Sequence, residues 1–393
     1  SLRRHLDYIA DLGTDVVYLC PIHLARTSRG YDALDYQQVR PEYGSRDDVK
    51  ALASDLHDRG LRLVLDGVFN HMGRQSPAFR AAAADPAAAT RRWFDFNDDY
   101  PGGARAWAKA VNLPELVIEE PAVREYLWEK SDSVVRSWLR DGVDGWRLDV
   151  AFEIGTAHLA ELTAAAHDEK PGSLVLGEVC NYPAEWFPAL DAVLAFTLRE
   201  IILMTANHDI TPRHAQRMLQ RLYADPAQRR LAQVLQFTLP GAVNLYYGSE
   251  LGQTGGSDPA NRAPMRWDLV NDDNPTLGLH RQLIELRRDC RALRVGDVRW
   301  LETDRLLGFE RHTDRAADIV VVLVNPSSEP VLETVLLPDS KLMDIAGMDD
   351  LLTGRHHRNY HGMITIDLAP QQVVILAPRT TPHHGYTPYK RVH

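Results

Sequence analysis

The sequence predicts an α/β protein, a (β/α)8 TIM barrel followed by a C-terminal antiparallel β-sandwich. In the first part of the chain, near-continuous apolar runs end in acidic residues or histidine and alternate with segments of helical spacing, which is typical of a parallel barrel. From about Val295 the pattern changes to short strands of period two, which indicates antiparallel sheets. We therefore expect the barrel at residues 1–294, the sandwich at 295–379 and an extended tail at 380–393.

Four apolar runs in the barrel region each bring polar side chains to their ends. They are residues 61–71 with Asp66, Asn70 and His71, residues 145–150 with Arg147 and Asp149, residues 174–179 with Glu178, and residues 201–209 with His208 and Asp209. Because the carboxyl ends of barrel strands meet at one face, we expect these side chains to form a single site there. A lone Arg147–Asp149 pair would be read as a structural ion pair, but the ordered set of runs favours an active site.

The remaining elements follow from apolar spacing and turn residues. A strand is predicted at 15–20, helices at 46–59, 122–139 and 276–286, and a last barrel strand at 242–247. Residues of about 72–121 follow neither period, so we expect an irregular excursion between the third strand and its helix. The sandwich strands are predicted at 298–301, 306–310, 319–324, 331–337, 364–366 and 373–376.

The composition and charge of the sequence argue against several classes of binding partner. A formal net charge of −10 argues against nucleic acid and against an anionic membrane surface, and it suits a neutral ligand. No apolar stretch has membrane-spanning length, and phosphate-loop, dinucleotide and zinc-finger patterns are absent from the sequence. The three cysteines are an odd number, and we expect Cys20 and Cys180 to be buried thiols, which favours a reducing, cytoplasmic location.

The four strand-end segments, in this order, resemble the conserved regions of the α-amylase family of glycoside hydrolases, and Gly30-Tyr31-Asp32 resembles that family's aromatic platform. The likeness covers most of the chain. Finer motifs are similar to the cyclomaltodextrinase, neopullulanase and maltogenic amylase branch. These motifs are Trp146-Arg147-Leu148-Asp149-Val150-Ala151, Leu113-Pro114-Glu115-Leu116-Val117, Gly255-Gly256-Ser257-Asp258-Pro259 and Arg262-Ala263-Pro264-Met265-Arg266-Trp267.

The resemblance implies a role for each strand-end residue. It makes Asp149 the nucleophile, Glu178 the acid/base, and Asp209 the residue that holds the sugar and stabilises the transition state. It places the other residues around the sugar, namely Tyr31, Asp66, Asn70, His71, Arg147, His208 and Arg213. We expect Arg147 to keep Asp149 ionised while Glu178 is protonated. For His71 and His208 the alternative is that they are structural histidines.

The implied activity is that of a retaining α-glucan hydrolase acting on α-1,4 bonds, and in some substrates α-1,6 bonds, of short or cyclic maltooligosaccharides. Two alternatives remain open, a transglycosylase with the same residues and a non-catalytic carbohydrate-binding relative. The chemistry requires no cofactor. A structural calcium ion stays open, although its usual site is not recognised in this sequence, and a homo-oligomer stays open as well.

Four features of the sequence depart from the family pattern. Ser1 to Tyr8 resembles the helix that follows the first barrel strand, so we expect that strand to lie outside this sequence. The stretch between Phe196 and Met204 is shorter than the family's, so we expect segments of the native chain to be absent there. Cys180 and Asn181 stand where the branch often has an aromatic residue, and Val117 replaces an asparagine.

Two tryptophans in the excursion carry a further expectation. Trp93 and Trp107 lie within residues 72–121, the excursion that is expected to cover the substrate. They are expected either to stack on glucose rings or to fill the small core of the excursion.

Overall fold

A computed structural model describes residues 2–181, 185–196, 204, 229–253, 262–338 and 347–379. The chain divides into two compact units, Ser1–Phe196 and Thr197–His393. The predicted domain boundary near residue 294 stays a prediction. The predicted strand at 201–209, with the exception of Met204, and the tail from residue 380 lie outside the described residues.

A parallel sheet forms the centre of the first unit. The strands in chain order are β1 (Val16–Leu19), β2 (His23–Ala25), β3 (Ala33–Val39), β4 (Arg62–Gly67), β5 (Gly145–Leu148), β6 (Leu174–Val179) and β7 (Ala192–Ala195). The sheet has the order β1-β4-β5-β6-β7, with every neighbouring pair parallel, and β2 and β3 form an antiparallel hairpin. Sequential parallel strands with helical crossovers are the arrangement of a barrel wall, as predicted.

Helices pack beside this sheet. They are α1 (Leu6–Asp11), α2 (Arg46–His57), α3 (Pro77–Ala84), α4 (Pro121–Arg124), α5 (Val134–Arg140), α6 (Ala151–Ile154) and α7 (Thr156–Glu169). The predicted α2 is confirmed. The Ser45 hydroxyl accepts a hydrogen bond from the Asp48 amide, the Asp48 carboxylate accepts one from the Ser45 amide, and the apolar stripe from Val49 to Leu56 is buried.

The single helix predicted at 122–139 is wrong. The chain there forms α4, then a π-turn at Glu125–Glu129, then a break before α5 begins at Val134. Ser131-Asp132-Ser133 occupies the break, and residues of these types favour turns and helix starts over helix interiors. The apolar positions on either side are seven residues apart, as Leu127 and Val134 are, so the spacing alone does not reveal the interruption.

The second unit combines helices with the predicted sandwich. Its helices are α8 (Arg229–Thr238), α9 (Pro275–Asp289) and α10 (Arg291–Val295). Its strands are β8 (Asp297–Trp300), β9 (Leu307–His312), β10 (Val320–Val324), β11 (Val331–Leu336), β12 (Met348–Asp350), β13 (His356–His357), β14 (Met363–Leu368) and β15 (Val373–Pro378). They form a six-stranded antiparallel sheet, β13-β12-β15-β10-β9-β8, and the pair β11-β14.

Alternation along β10 explains the layers of this unit. Val321 and Leu323 join the core formed with β11 and β14, whereas Val320 and Val322 join the core formed with α8 and α9. The strand predicted at 242–247 is wrong, because that segment is irregular and pairs with no strand among the described residues. Within the part of the chain that the structure describes, no helix is long and apolar enough to cross a membrane.

Candidate active site

Strand register places four of the predicted residues on one face of the parallel sheet. Asp66 on β4 is the direct partner of Arg147 on β5, so both side chains point to the same face. Arg147 in turn pairs with Leu176, and Glu178 lies two residues further along β6, on that same face. Asp149 follows the end of β5. The carboxyl edge of the sheet therefore gathers three carboxylates around one guanidinium.

Arg147 binds all three carboxylates directly. Its Nη1 donates to Asp66 Oδ1 and Oδ2 at 2.9 and 3.1 Å and to Asp149 Oδ1 at 2.9 Å, and its Nη2 donates to Glu178 Oε2 at 2.5 Å. The Arg147 side chain is only 7% exposed, and that of Asp66 is fully buried. A planar fork of donors suits this work, because it fixes several carboxylates at once.

The backbone after Asp149 contributes to the same cluster. Val150 has φ 39° and ψ 45°, a left-handed conformation that is rare for a β-branched residue. In this conformation its amide donates to Glu178 Oε2 at 3.2 Å. The turn ends β5 two residues earlier than predicted and aims a backbone donor at the carboxylate of Glu178.

Burial and mutual repulsion decide the charge of Asp149. With three carboxylates and one guanidinium, the fully ionised cluster would carry two net negative charges in a buried place. Burial, followed by the charge of Asp66, raises the pKa of Asp149 to about 7, although Arg147 acts in the opposite direction. Burial also raises the pKa of Asp66. Arg147 lowers the pKa of Asp149 as expected, but burial and Asp66 outweigh it, so the expectation that Arg147 keeps Asp149 fully ionised is wrong.

Two tyrosines border Asp66. Tyr18, on β1, donates its hydroxyl to Asp66 Oδ2 at 2.5 Å, and the Tyr31 hydroxyl lies 3.4 Å from the same oxygen. Burial, followed by the charge of Asp66, raises the pKa of both phenols, so both remain donors at neutral pH. Sequence reasoning missed Tyr18. A tyrosine inside an apolar strand needs a partner for its hydroxyl, and that need is the signal that could have identified it.

His71 follows β4 and is almost fully buried. Its Nδ1 lies 3.4 Å from Asn70 Nδ2, and its Nε2 has no hydrogen-bond partner among the described residues. Burial lowers the pKa of His71 to about 4, against smaller opposite effects from the backbone of Tyr31 and the charge of Asp32. A neutral imidazole with a free nitrogen is suited to hydrogen-bond a sugar hydroxyl.

The two tryptophans of the excursion have different surroundings. Trp93 packs on Tyr126, with ring centroids 5.1 Å apart, and lies against the apolar core. Trp107 stacks on His71, with ring centroids 5.5 Å apart and ring planes 26° apart. Trp93 therefore fills the excursion's core, and Trp107 lies at the site.

Both cysteines predicted to be buried are exposed, so that expectation is wrong. Cys180 follows β6, and the partial burial of its thiol, followed by the charge of Glu178, raises the thiol's pKa. The next residue, Asn181, accepts a hydrogen bond from the Trp186 indole at 2.8 Å. Glu178 is thus followed closely by a small thiol where the family pattern often has an aromatic ring.

The structure leaves the other predicted site residues and the calcium ion untested. His208, Asp209 and Arg213 lie outside the described residues. Among the residues that are described, no group of three or more His, Cys, Asp or Glu side chains could hold a metal ion, and the structural calcium stays open.

The chain is similar to known proteins over most of its length. Residues 2–172 match the family Alpha-amylase, described as the alpha amylase catalytic domain. The chain is 31% identical to a cyclomaltodextrinase of Bacillus sp over 82% of this chain and 64% of that protein. It is 30% identical to neopullulanase 2 of Thermoactinomyces vulgaris over 94% of this chain and 69% of that protein. The chain thus spans about two thirds of the length of these relatives.

A solved structure agrees with the sequence comparison. The crystal structure of Ttha1563 from Thermus thermophilus superposes with a TM-score of 0.83 at 27% identity, covering 96% of this chain and 89% of that one. The strand-end carboxylates, the sequence likeness and the shared fold all agree. The chain belongs to the α-amylase family of glycoside hydrolases.

Proposed function

We propose that this protein is a retaining α-glucan hydrolase, with Asp149 as nucleophile and Glu178 as acid/base. The observation that carries the proposal is that one guanidinium, Arg147, binds both carboxylates at the ends of neighbouring strands. Retaining glycosidases need two carboxyl groups about 5–5.5 Å apart, which a shared guanidinium favours.

The chemistry proceeds in two displacements. Asp149 attacks the anomeric carbon while the bond to the leaving oxygen breaks, and the carboxyl proton of Glu178 passes to that oxygen. Water then attacks the same carbon, gives its proton to Glu178 and releases Asp149. Because three carboxylates surround one cation, the cluster holds a proton near neutral pH, and that proton belongs to the set rather than to one residue.

The proposal also covers the substrate and the molecule that receives the glycosyl group. The family branch of the motifs and the names of the relatives support α-1,4 bonds, with α-1,6 bonds in some substrates, of short or cyclic maltooligosaccharides. Asp209, His208 and Arg213 are proposed to hold the sugar, as are Tyr31 and His71. A transglycosylase remains the alternative, since the same intermediate transfers to sugar or to water. Cytoplasmic location stays a prediction.

Trapping the intermediate tests the mechanism. A fluorinated α-glucosyl fluoride should leave a covalent glycosyl group on the peptide that contains Asp149, as read by mass spectrometry. Asp149→Asn and Glu178→Gln should each lose at least about 1,000-fold in kcat. The matched control is Asp168→Asn. The Asp168 side chain is 72% exposed, so this substitution should leave kcat unchanged.

Several outcomes would contradict the proposal. NMR of the first product released should show the α-anomer, and the β-anomer would exclude retention. Formate should restore hydrolysis of the glycosyl-enzyme to Glu178→Ala if Glu178 accepts the proton of the attacking water, because the formate anion can accept that proton instead. Longer or α-1,6-linked products from maltotriose would favour the transglycosylase. A wild-type protein that binds maltotriose without turnover would favour the non-catalytic relative.

A further inference from the structure

The excursion holds Trp107 against His71 by a chain of backbone hydrogen bonds. The Met72 amide donates to Pro114 O at 3.0 Å, and the Leu116 amide donates to Asn70 O at 2.9 Å. His71 itself forms an antiparallel bridge with Glu115. The segment that precedes α4 is therefore paired directly with the segment that follows β4.

The same segment pairs with the chain around Trp107. The Trp107 amide donates to Leu113 O at 3.0 Å, and the Glu115 amide donates to Arg105 O at 3.0 Å. Ala106 forms an antiparallel bridge with Pro114. Three adjacent backbone segments thus fix Trp107 relative to His71, and the stacking of the two rings follows from this register.

The turn after Trp107 is strained. Ala108 has φ 48° and Lys109 has φ 63°, and each lies in the left-handed region that non-glycine residues avoid. The Ala110 amide closes the turn on Trp107 O at 2.8 Å. Strain of this kind persists where the surrounding structure imposes it, and it often marks a functional position.

We propose that Trp107 is a positioning residue for His71: its stacked indole fixes the imidazole plane and shields the ring from water, so that Nε2 remains free for a sugar hydroxyl. The kinetic part of this inference rests on the proposed function. Trp107 stands apart from Trp93, because Trp93 contacts Tyr126 and the core whereas Trp107 contacts an imidazole with a free buried nitrogen.

Titration of His71 tests the inference without any substrate. In protein labelled at histidine Cε1, the His71 signal is assigned by its loss in His71→Asn. Trp107→Leu should raise the pKa of His71 by at least about one unit toward its ordinary value, because water then reaches the ring. Trp107→Phe keeps a stacked ring and should hold the titration near that of the wild type. Trp93→Leu, the matched control in the same excursion, should leave it unchanged.

A double-mutant cycle tests the kinetic part. Trp107→Leu should lower kcat/KM on maltotriose by about 10- to 100-fold, because a displaced catalytic contact costs this much. In a His71→Asn background the same change should cost less than about threefold, since Trp107 acts through His71.

The two arms can fail separately. An unchanged His71 titration in Trp107→Leu would overturn the positioning role, as would losses that multiply in the double variant. A shift of the same size in Trp93→Leu would show that the excursion had merely loosened, and it would overturn the inference too. If the wild-type protein hydrolyses no glucan, the proposed function fails, and the titration still decides the role of Trp107.

Discussion

Asp149→Asn should stabilise the protein at alkaline pH while removing its activity. Asparagine keeps the shape of the side chain, and its amide oxygen still accepts the hydrogen bond from Arg147 Nη1, which is 2.9 Å long in the wild type. The substitution removes one negative charge from a buried cluster of three carboxylates and one cation. The charge that Asp149 needs for its proposed role as nucleophile is therefore also a source of instability.

The size and sign follow from the raised pKa of Asp149. That pKa moves from 3.8 to about 7 on folding, so the folded protein binds more protons than the unfolded chain in this range. The stabilising contribution of protonated Asp149 is therefore fully present below pH 4 and is lost as the pH rises through about 7. This change in pKa corresponds to about 4 kcal/mol in the free energy of unfolding, and relaxation of the site should reduce that to about 2–4 kcal/mol.

Thermal unfolding at several pH values measures this effect. Asp149→Asn should match the wild type at pH 4 and exceed it at pH 8 by roughly 4–16 °C, since about 1 kcal/mol shifts a unit of this size by 2–4 °C. Loss of activity in the same preparation confirms that the site residue was changed. An equal Tm for both proteins at pH 8, or an advantage that does not depend on pH, would refute the reasoning.

Asp144→Asn is a matched control with the opposite sign. Burial alone would raise the pKa of Asp144, but hydrogen bonds from Lys170, His57 and the Leu63 amide lower it. Its stabilising effect is therefore present above the ordinary pKa and is lost as the pH falls through the lowered value. The variant should lose about 1–3 kcal/mol at pH 8, and this loss should shrink as the pH falls below the ordinary pKa of an aspartate. Two aspartates five residues apart should thus respond to pH in opposite ways.

Three further predictions concern the same cluster. Tyr18→Phe removes the 2.5 Å bond to buried Asp66 and should cost about 1–3 kcal/mol in thermal unfolding, whereas Tyr31→Phe, with its 3.4 Å contact, should cost less. Arg147→Lys should lower kcat/KM at least about 100-fold, since one ammonium cannot hold three carboxylates, and a loss below tenfold would contradict this. The acid limb of kcat/KM against pH should lie near 7 and move lower in Asp66→Asn, because Asp66 helps to raise the pKa of Asp149; an unmoved limb would contradict the assignment.

The sequence was sufficient to predict the elements whose signal is local. The apolar run that forms β6 was predicted with its observed bounds, because a strand buried by its neighbours is apolar almost throughout. Glu178 could be placed at the carboxyl edge of the sheet because it lies next to the last residue of that run. The break in the helix at 122–139 escaped prediction because the apolar spacing resumes in phase beyond it.

Properties that depend on register and burial could not be read from the sequence. The sequence shows Arg147 two residues before Asp149, but not that Asp66 and Glu178 share the same guanidinium. The sign of the pKa shift at Asp149 depends on that sharing. The need of the Tyr18 hydroxyl for a partner was a signal in the sequence, but the identity of that partner was not, since only the pairing of β1 with β4 brings the hydroxyl to Asp66.

Residues at the amino ends of the parallel strands stabilise the sheet, whereas residues at the carboxyl ends form the candidate active site. At the amino end, Asp144 accepts hydrogen bonds from the Leu63 amide at 2.8 Å and from His57 at 2.7 Å. Asp191, just before β7, repeats the arrangement with the Val175 amide at 2.7 Å and His167 at 3.0 Å. Each aspartate thus ties the start of its own strand to a backbone amide of the preceding strand and to a helix histidine.

These contacts have a clear consequence for the opposite edge. Charged hydrogen bonds of about 1.5–3 kcal/mol each can offset the instability of about 2–4 kcal/mol that Asp149 brings to the carboxyl edge. The strands can therefore carry a repulsive cluster of carboxylates where the chemistry requires it, because the same strands are fixed at their other end. If the two edges contribute independently, Asp144→Asn should cost as much stability in a protein that already carries Asp149→Asn as it does in the wild type, and a smaller cost there would show that the edges are coupled.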